Sequence, residues 1–203
     1  MRSFATTLKP LALGIALIAI FAVGQKAANA DTVTFSTVGS FNGGGNSITF
    51  GSGGNLLNIT FTGVSSTVNA TPFTFASLGE FQTSTTGSGA TITPGTTFSL
   101  TITQTVPGSG SGTLLGTING TVSQNQSTGL VTFSVSSAVI NGVTYSLTNN
   151  PLPLVPPATN NGVTTVQAQI TAPQVPEPAT MLLLGTGLVG AAASIRRRRS
   201  ARS

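Results

Sequence analysis

The chain has 203 residues, only 5% of them charged against the roughly 25% of an ordinary soluble protein, and it contains no Cys, His or Trp. Its formal net charge of +5 belongs to the two ends: between Asp31 and Val175 there is no Lys or Arg, and the only charges are Asp31 and Glu80. A stretch without cationic side chains cannot release counterions from a phosphate backbone, which excludes nucleic acid as a partner. The missing imidazoles and thiols remove the usual bases, nucleophiles and zinc ligands.

Taken in chain order, the first 30 residues predict a signal helix and its cleavage site. Arg2 and Lys9 give a basic start, Leu11 to Val23 an uncharged apolar run, and Ala28-Asn29-Ala30 a small-residue site. This is the layout of a secretory signal peptide, cut after Ala30 by signal peptidase. The run is shorter than the roughly 20 residues a membrane span needs.

Residues 31–174 predict one exported, all-β domain. Val33 and Phe35, Leu57 to Phe61, Phe73 and Phe75, Phe98 to Ile102, Val131 to Val135 and Val143 to Leu147 each alternate with Thr, Ser or Asn. Period-two patterning reads as half-buried strands. Gly-rich and Pro-Gly segments between them read as turns, as in Asn42 to Gly45, Gly51 to Gly54, Thr93 to Gly95 and Pro107 to Gly110. Asn119-Gly120 and Asn141-Gly142 predict type I′ hairpin turns, which need positive φ at both central residues. Residues 149–162 hold Pro151, Pro153, Pro156 and Pro157 and predict a long loop or edge crossing, because Pro cannot donate to a ladder.

Roughly nine or ten strands of this kind suggest a single antiparallel β-sandwich with Phe side chains on its inner faces. A β-solenoid is the alternative, although no fixed repeat accompanies the alternation. The outer faces carry Thr, Ser, Asn and Gln, and such uncharged edges are poorly protected against self-association.

Chemistry is scarce in this domain. Glu80 is isolated between Gly79 and Phe81 and reads as a solvent-facing strand residue, without the second carboxylate a glycosidase needs. Asp31 sits at the expected new N-terminus. No catalytic, metal or cofactor site is predicted, and residues 43–54 lack the Gly-Lys-Ser/Thr ending of a phosphate loop. Tyr145 alternates with Val143 and Leu147, which places it in the core. Asn-x-Ser/Thr triplets at Asn58, Asn69, Asn119 and Asn125 are no more than chance expects in so Ser/Thr-rich a chain.

Residues 175–203 form a tail in three parts. Pro176-Glu177-Pro178 opens it, residues 179–195 are an uncharged apolar run, and Arg196, Arg197, Arg198 and Arg199 close it. The run predicts a transmembrane helix at the short limit of bilayer thickness, with the arginine cluster as a cytoplasmic basic stop. Triplet, helix and basic end together resemble the PEP-CTERM sorting signal. That resemblance implies recognition and cutting near the triplet by exosortase, with Pro176, Glu177 and Pro178 acting as substrate. It also implies a Gram-negative-type bacterium, the inner membrane as a transient station, and the cell surface or a biofilm matrix as destination.

The sequence therefore predicts a structural or adhesive, non-catalytic surface protein. A carbohydrate-binding module attached to exopolysaccharide is the alternative.

Overall fold

The computed structural model describes residues 32–173 and 185–190. Residues Ala30–Gln174 form one compact unit. Its strands in chain order are β1 (Thr32–Phe41), β2 (Ser47–Ser52), β3 (Asn55–Thr62), β4 (Ser65–Asn69), β5 (Phe73–Thr86), β6 (Ala90–Thr91), β7 (Thr96–Val106), β8 (Gly110–Asn119), β9 (Thr121–Val122), β10 (Leu130–Val135), β11 (Ser137–Ile140), β12 (Val143–Leu147), β13 (Leu152–Pro153) and β14 (Val163–Thr171). They build two six-stranded antiparallel sheets. Sheet I has the order β13-β10-β8-β7-β1-β4 and sheet II the order β11-β12-β14-β5-β3-β2, while β6 and β9 form a small separate pair. Both orders contain crossovers between strands distant in sequence. A solenoid, in which each repeat touches only its neighbours, does not pair this way.

The alternation read from the sequence sets which faces are buried. In β1, Val33, Phe35 and Phe41 point inward while Thr34, Ser36 and Val38 point outward. In β7, Phe98, Leu100 and Ile102 are buried against Leu57, Ile59 and Phe61 of β3 in one shared core. Aromatic contacts cross between the sheets: Phe81 and Phe98 lie 4.7 Å apart, and Phe35 meets Tyr145 edge-on at 5.6 Å. Both separations fall in the favourable range for tilted and T-shaped rings. Every strand finds its partner within residues 32–173, so the domain closes its own core.

The two Asn-Gly dipeptides part company. Asn141 (φ 48) and Gly142 (φ 82) both adopt positive φ and join β11 to β12, with Ile140 opposite Val143. At the other dipeptide only Gly120 does so (φ 107); β9 leaves sheet I there and pairs with β6, so no hairpin forms. The Pro-rich segment places β13 against β10 at the sheet edge, where Pro153 has no ladder bond to lose.

Two alternating sets are not buried as the pattern predicts. Val135 is 41% exposed beyond a register shift after Phe133. Phe73 and Phe75 are 47% and 60% exposed, against the expectation that the domain's Phe residues fill the core. The cause of the second is an extra residue in β5. Thr165 of β14 faces Glu80 but Gln167 faces Ser77, so two residues of β14 span three of β5. Leu78 and Gly79 are consecutively buried at this bulge, and the phase of the strand reverses there. Phe81 and Thr83 point inward on one side of it; Ala76 and Thr74 do so on the other, turning Phe73 and Phe75 outward.

Candidate functional site

Glu80 is the single charged residue of 32–173. It lies half-buried on the outer side of β5, in register with Thr62 and Thr165. No second carboxylate accompanies it in this stretch. Tyr145 is fully buried, and that burial pushes its phenol up to about 12.

A cleft of about 340 Å³ opens beside Thr37, Asn46, Phe61 and Val64. Two of its polar side chains are engaged with backbone. Thr37 Oγ1 donates to the Leu78 carbonyl at 2.7 Å and accepts from the Val64 N–H at 2.9 Å, and Asn46 Nδ2 donates to the Phe61 carbonyl. None of the residues that line the cleft is titratable.

The outer side of sheet II offers more. Phe73 and Phe75 meet edge-on there, with ring centroids 5.8 Å apart and planes at 74°. Cross-strand register sets Phe73 beside Thr171, which in turn faces Thr144. Phe75 lies beside Gln169, which faces Ser146. The bulge that holds the rings outward is secured by Ser77, whose Oγ accepts from the Gly79 N–H at 3.1 Å. Gly79 has φ 126, and a Cβ there would meet Phe61 Cζ at 2.4 Å, so only glycine fits. The sequence held one signal of this: a glycine inside a strand pattern marks a bulge or a close approach.

The tail residues singled out in the sequence, Pro176, Glu177, Pro178 and Arg196 to Arg199, lie outside the described residues, as do Ala28 and Ala30 at the leader's end. Of the apolar run, residues 185–190 are described and are helical, with Leu188 and Val189 exposed. Among the described residues no helix is long and apolar enough to cross a membrane.

Residues 174–199 match the family model of the PEP-CTERM protein-sorting motif. That span contains the Pro-Glu-Pro triplet, the apolar run and all four arginines of the cluster. No curated protein and no solved structure matches the chain. The PEP-CTERM motif implies an exported, membrane-transiting protein that exosortase processes and that is sorted to the cell surface. The motif covers the tail alone, so the role of the β domain has to be argued from its own surface.

Proposed function

We propose that the chain is an exosortase-sorted protein of the cell surface or extracellular matrix whose mature domain is a non-catalytic β-sandwich with a structural or adhesive role. The observation that carries this reading is the PEP-CTERM motif at 174–199, placed behind a hydroxyl-rich β domain with a single charged residue between 32 and 173. Sorting is the work of the tail. Display or adhesion is the work of the domain, since a surface without imidazoles, thiols or cations, and with one isolated carboxylate, favours contact over catalysis. Signal peptidase would release the leader at Ala30, and exosortase would act near Pro176-Glu177-Pro178.

The test is the intact mass of the protein recovered from envelope and medium, with exosortase present and deleted. The expected species runs from Asp31 to near Pro176 and exists only when the enzyme is present. A tail retained through Ser203 in both strains would make the motif a plain membrane anchor and overturn the sorting half of the proposal.

A further inference from the structure

We propose that the outer face around Phe73 and Phe75 is a binding strip for a neutral polysaccharide. The proposal rests on the reading of an exported adhesive domain and names its partner.

Exposed aromatic pairs are unusual on a face otherwise made of Thr, Ser and Gln. Phe73 and Phe75 are 47% and 60% exposed, so about half of each residue's surface is open to an occupant. Full burial of such a side chain is worth about 1.5–3 kcal/mol, so covering the exposed half of each gains about 1–1.5 kcal/mol. The charge of the strip narrows the occupant. None of Phe73, Phe75, Thr171, Gln169, Thr144 or Ser146 is ionisable in the working range, so neither a polyanion nor a polycation finds a complement there.

Hydrogen-bonding capacity narrows it further. Elsewhere on sheet II the polar side chains satisfy one another: Asn58 Nδ2 donates to Ser47 and to Thr49 at 3.0 Å, and Thr60 donates to Asn58 Oδ1 at 3.0 Å. The side chains of Gln169, Thr171, Thr144 and Ser146 enter no such network among the described residues. A purely apolar occupant, such as a lipid tail, would desolvate them without giving anything back. The fitting ligand carries C–H faces for the rings, whose π faces are electron-rich, and hydroxyls for groups that both donate and accept. A neutral sugar has both. Across four strands the strip ends at Val139 of β11, opposite Thr144 and 68% exposed. Three strand spacings make about 14 Å, long enough for more than one sugar ring and suited to a chain rather than a monosaccharide.

The experiment uses the self-contained domain, residues 31–173, with β-glucan, galactomannan, dextran and the polyanion alginate each immobilised on a sensor surface. The expected result is saturable binding to at least one of the three neutral polymers, none to alginate, and little change with salt. Phe73→Ala/Phe75→Ala should weaken binding about tenfold or more, the equivalent of losing one buried ring. Gln169→Ala should weaken it less, and Val38→Ala, an exposed valine on sheet I, should leave it unchanged. Circular dichroism and urea melts of each variant establish that it is folded; should the double variant not fold, Gln169→Ala decides. Binding to none of the neutral polymers, equal binding by the variants, or preference for alginate overturns the proposal. So does a concentration-dependent dimer lost in the double variant without polysaccharide binding, which would make a second copy the occupant. None of these outcomes touches the sorting reading, because intact mass reports processing alone.

Discussion

The phenol of Tyr145 donates a 2.8 Å hydrogen bond to Oε1 of Gln104, and both residues are fully buried. Tyr145 belongs to β12 of sheet II and Gln104 to β7 of sheet I, so the bond ties the sheets together across the core. Gln104 is satisfied on its other side as well, Nε2 donating to the Gly108 carbonyl at 3.0 Å. Tyr145→Phe keeps the ring against Phe35 but orphans Oε1, and should destabilise the domain by about 1–3 kcal/mol. Urea melts measure this. Adding Gln104→Leu should recover part of the loss, since it removes the orphaned Oε1 and leaves only the part-buried Gly108 carbonyl to find a new donor. A loss equal to the sum of the single variants would deny the coupling.

The same phenol sets the alkaline limit of stability. Burial raises it from its ordinary 10.0 to about 12. The folded state therefore holds its proton where the unfolded chain has released it. The stabilisation is complete below about pH 10 and drains away as pH rises through about 12. Residues 32–173 contain no Lys, Arg, Cys or His, and Tyr145 is the only tyrosine of the chain. The melting temperature should accordingly stay level from neutrality to about pH 10 and then fall, and in Tyr145→Phe the fall should be absent. An unchanged alkaline fall in that variant would assign it to another cause.

Gly79 governs which way the strip's rings face. A methyl at this position meets Phe61 Cζ at 2.4 Å and the Thr62 carbonyl at 2.6 Å, and φ 126 is strained for any other residue. Gly79→Ala should cost more than about 3 kcal/mol, combining backbone strain with overpacking. By contrast Gly43, also at positive φ but with nothing within 4 Å, should lose only about 1 kcal/mol on the same change. Parallel urea melts of the two variants test the contrast. Equal losses would mean that contact with Phe61 does not matter.

How much of this was legible in the sequence depended on whether a signal was local. Val143, Tyr145 and Leu147 alternate within one short strand, and the buried face follows from the pattern. Asn141-Gly142 sits between two short strands that pair with each other, and its turn forms as read. Asn119-Gly120 looks the same to the eye. Yet the Ile92 N–H takes the Gly120 carbonyl at 2.8 Å, drawing the chain away from sheet I toward β6. Alternation puts Phe73 and Phe75 on a common face but does not say which one, and the structure turns them outward. Their direction is set by the bulge six and four residues further on, at Gly79, which only the pairing of β5 with β14 reveals. β4 carries no alternation signal in the sequence because Val68 is its sole apolar residue; β1 supplies its partner groups. The tail was legible because its three parts are contiguous and differ sharply in charge.

Salt should leave the domain almost indifferent. With Glu80 the single charge between 32 and 173, there is no ion pair within that stretch to screen. Raising sodium chloride from about 0.05 to 0.5 M should move the free energy of unfolding by less than about 0.5 kcal/mol. Ammonium sulfate should still stabilise, because it acts through exclusion from exposed surface. A strong sodium chloride dependence would point to charge in the unfolded state or to self-association, which sedimentation distinguishes.

The arginines of the PEP-CTERM tail should decide where the chain stops. Moving a single arginine to the middle of a bilayer costs about 2.5–3.5 kcal/mol, so Arg196, Arg197, Arg198 and Arg199 together form a barrier the exported chain does not cross. Replacing all four with Ser removes that barrier while leaving the Pro-Glu-Pro triplet and the apolar run as they are. The expected product is a chain whose mass runs from Asp31 through Ser203, found in the periplasm or medium, because a tail no longer held in the membrane escapes an enzyme that works there. Cell fractionation with intact mass reads both properties at once. If the variant is still trimmed near Pro176 at the ordinary rate, the apolar run alone positions the triplet, and the arginines serve only to orient the tail.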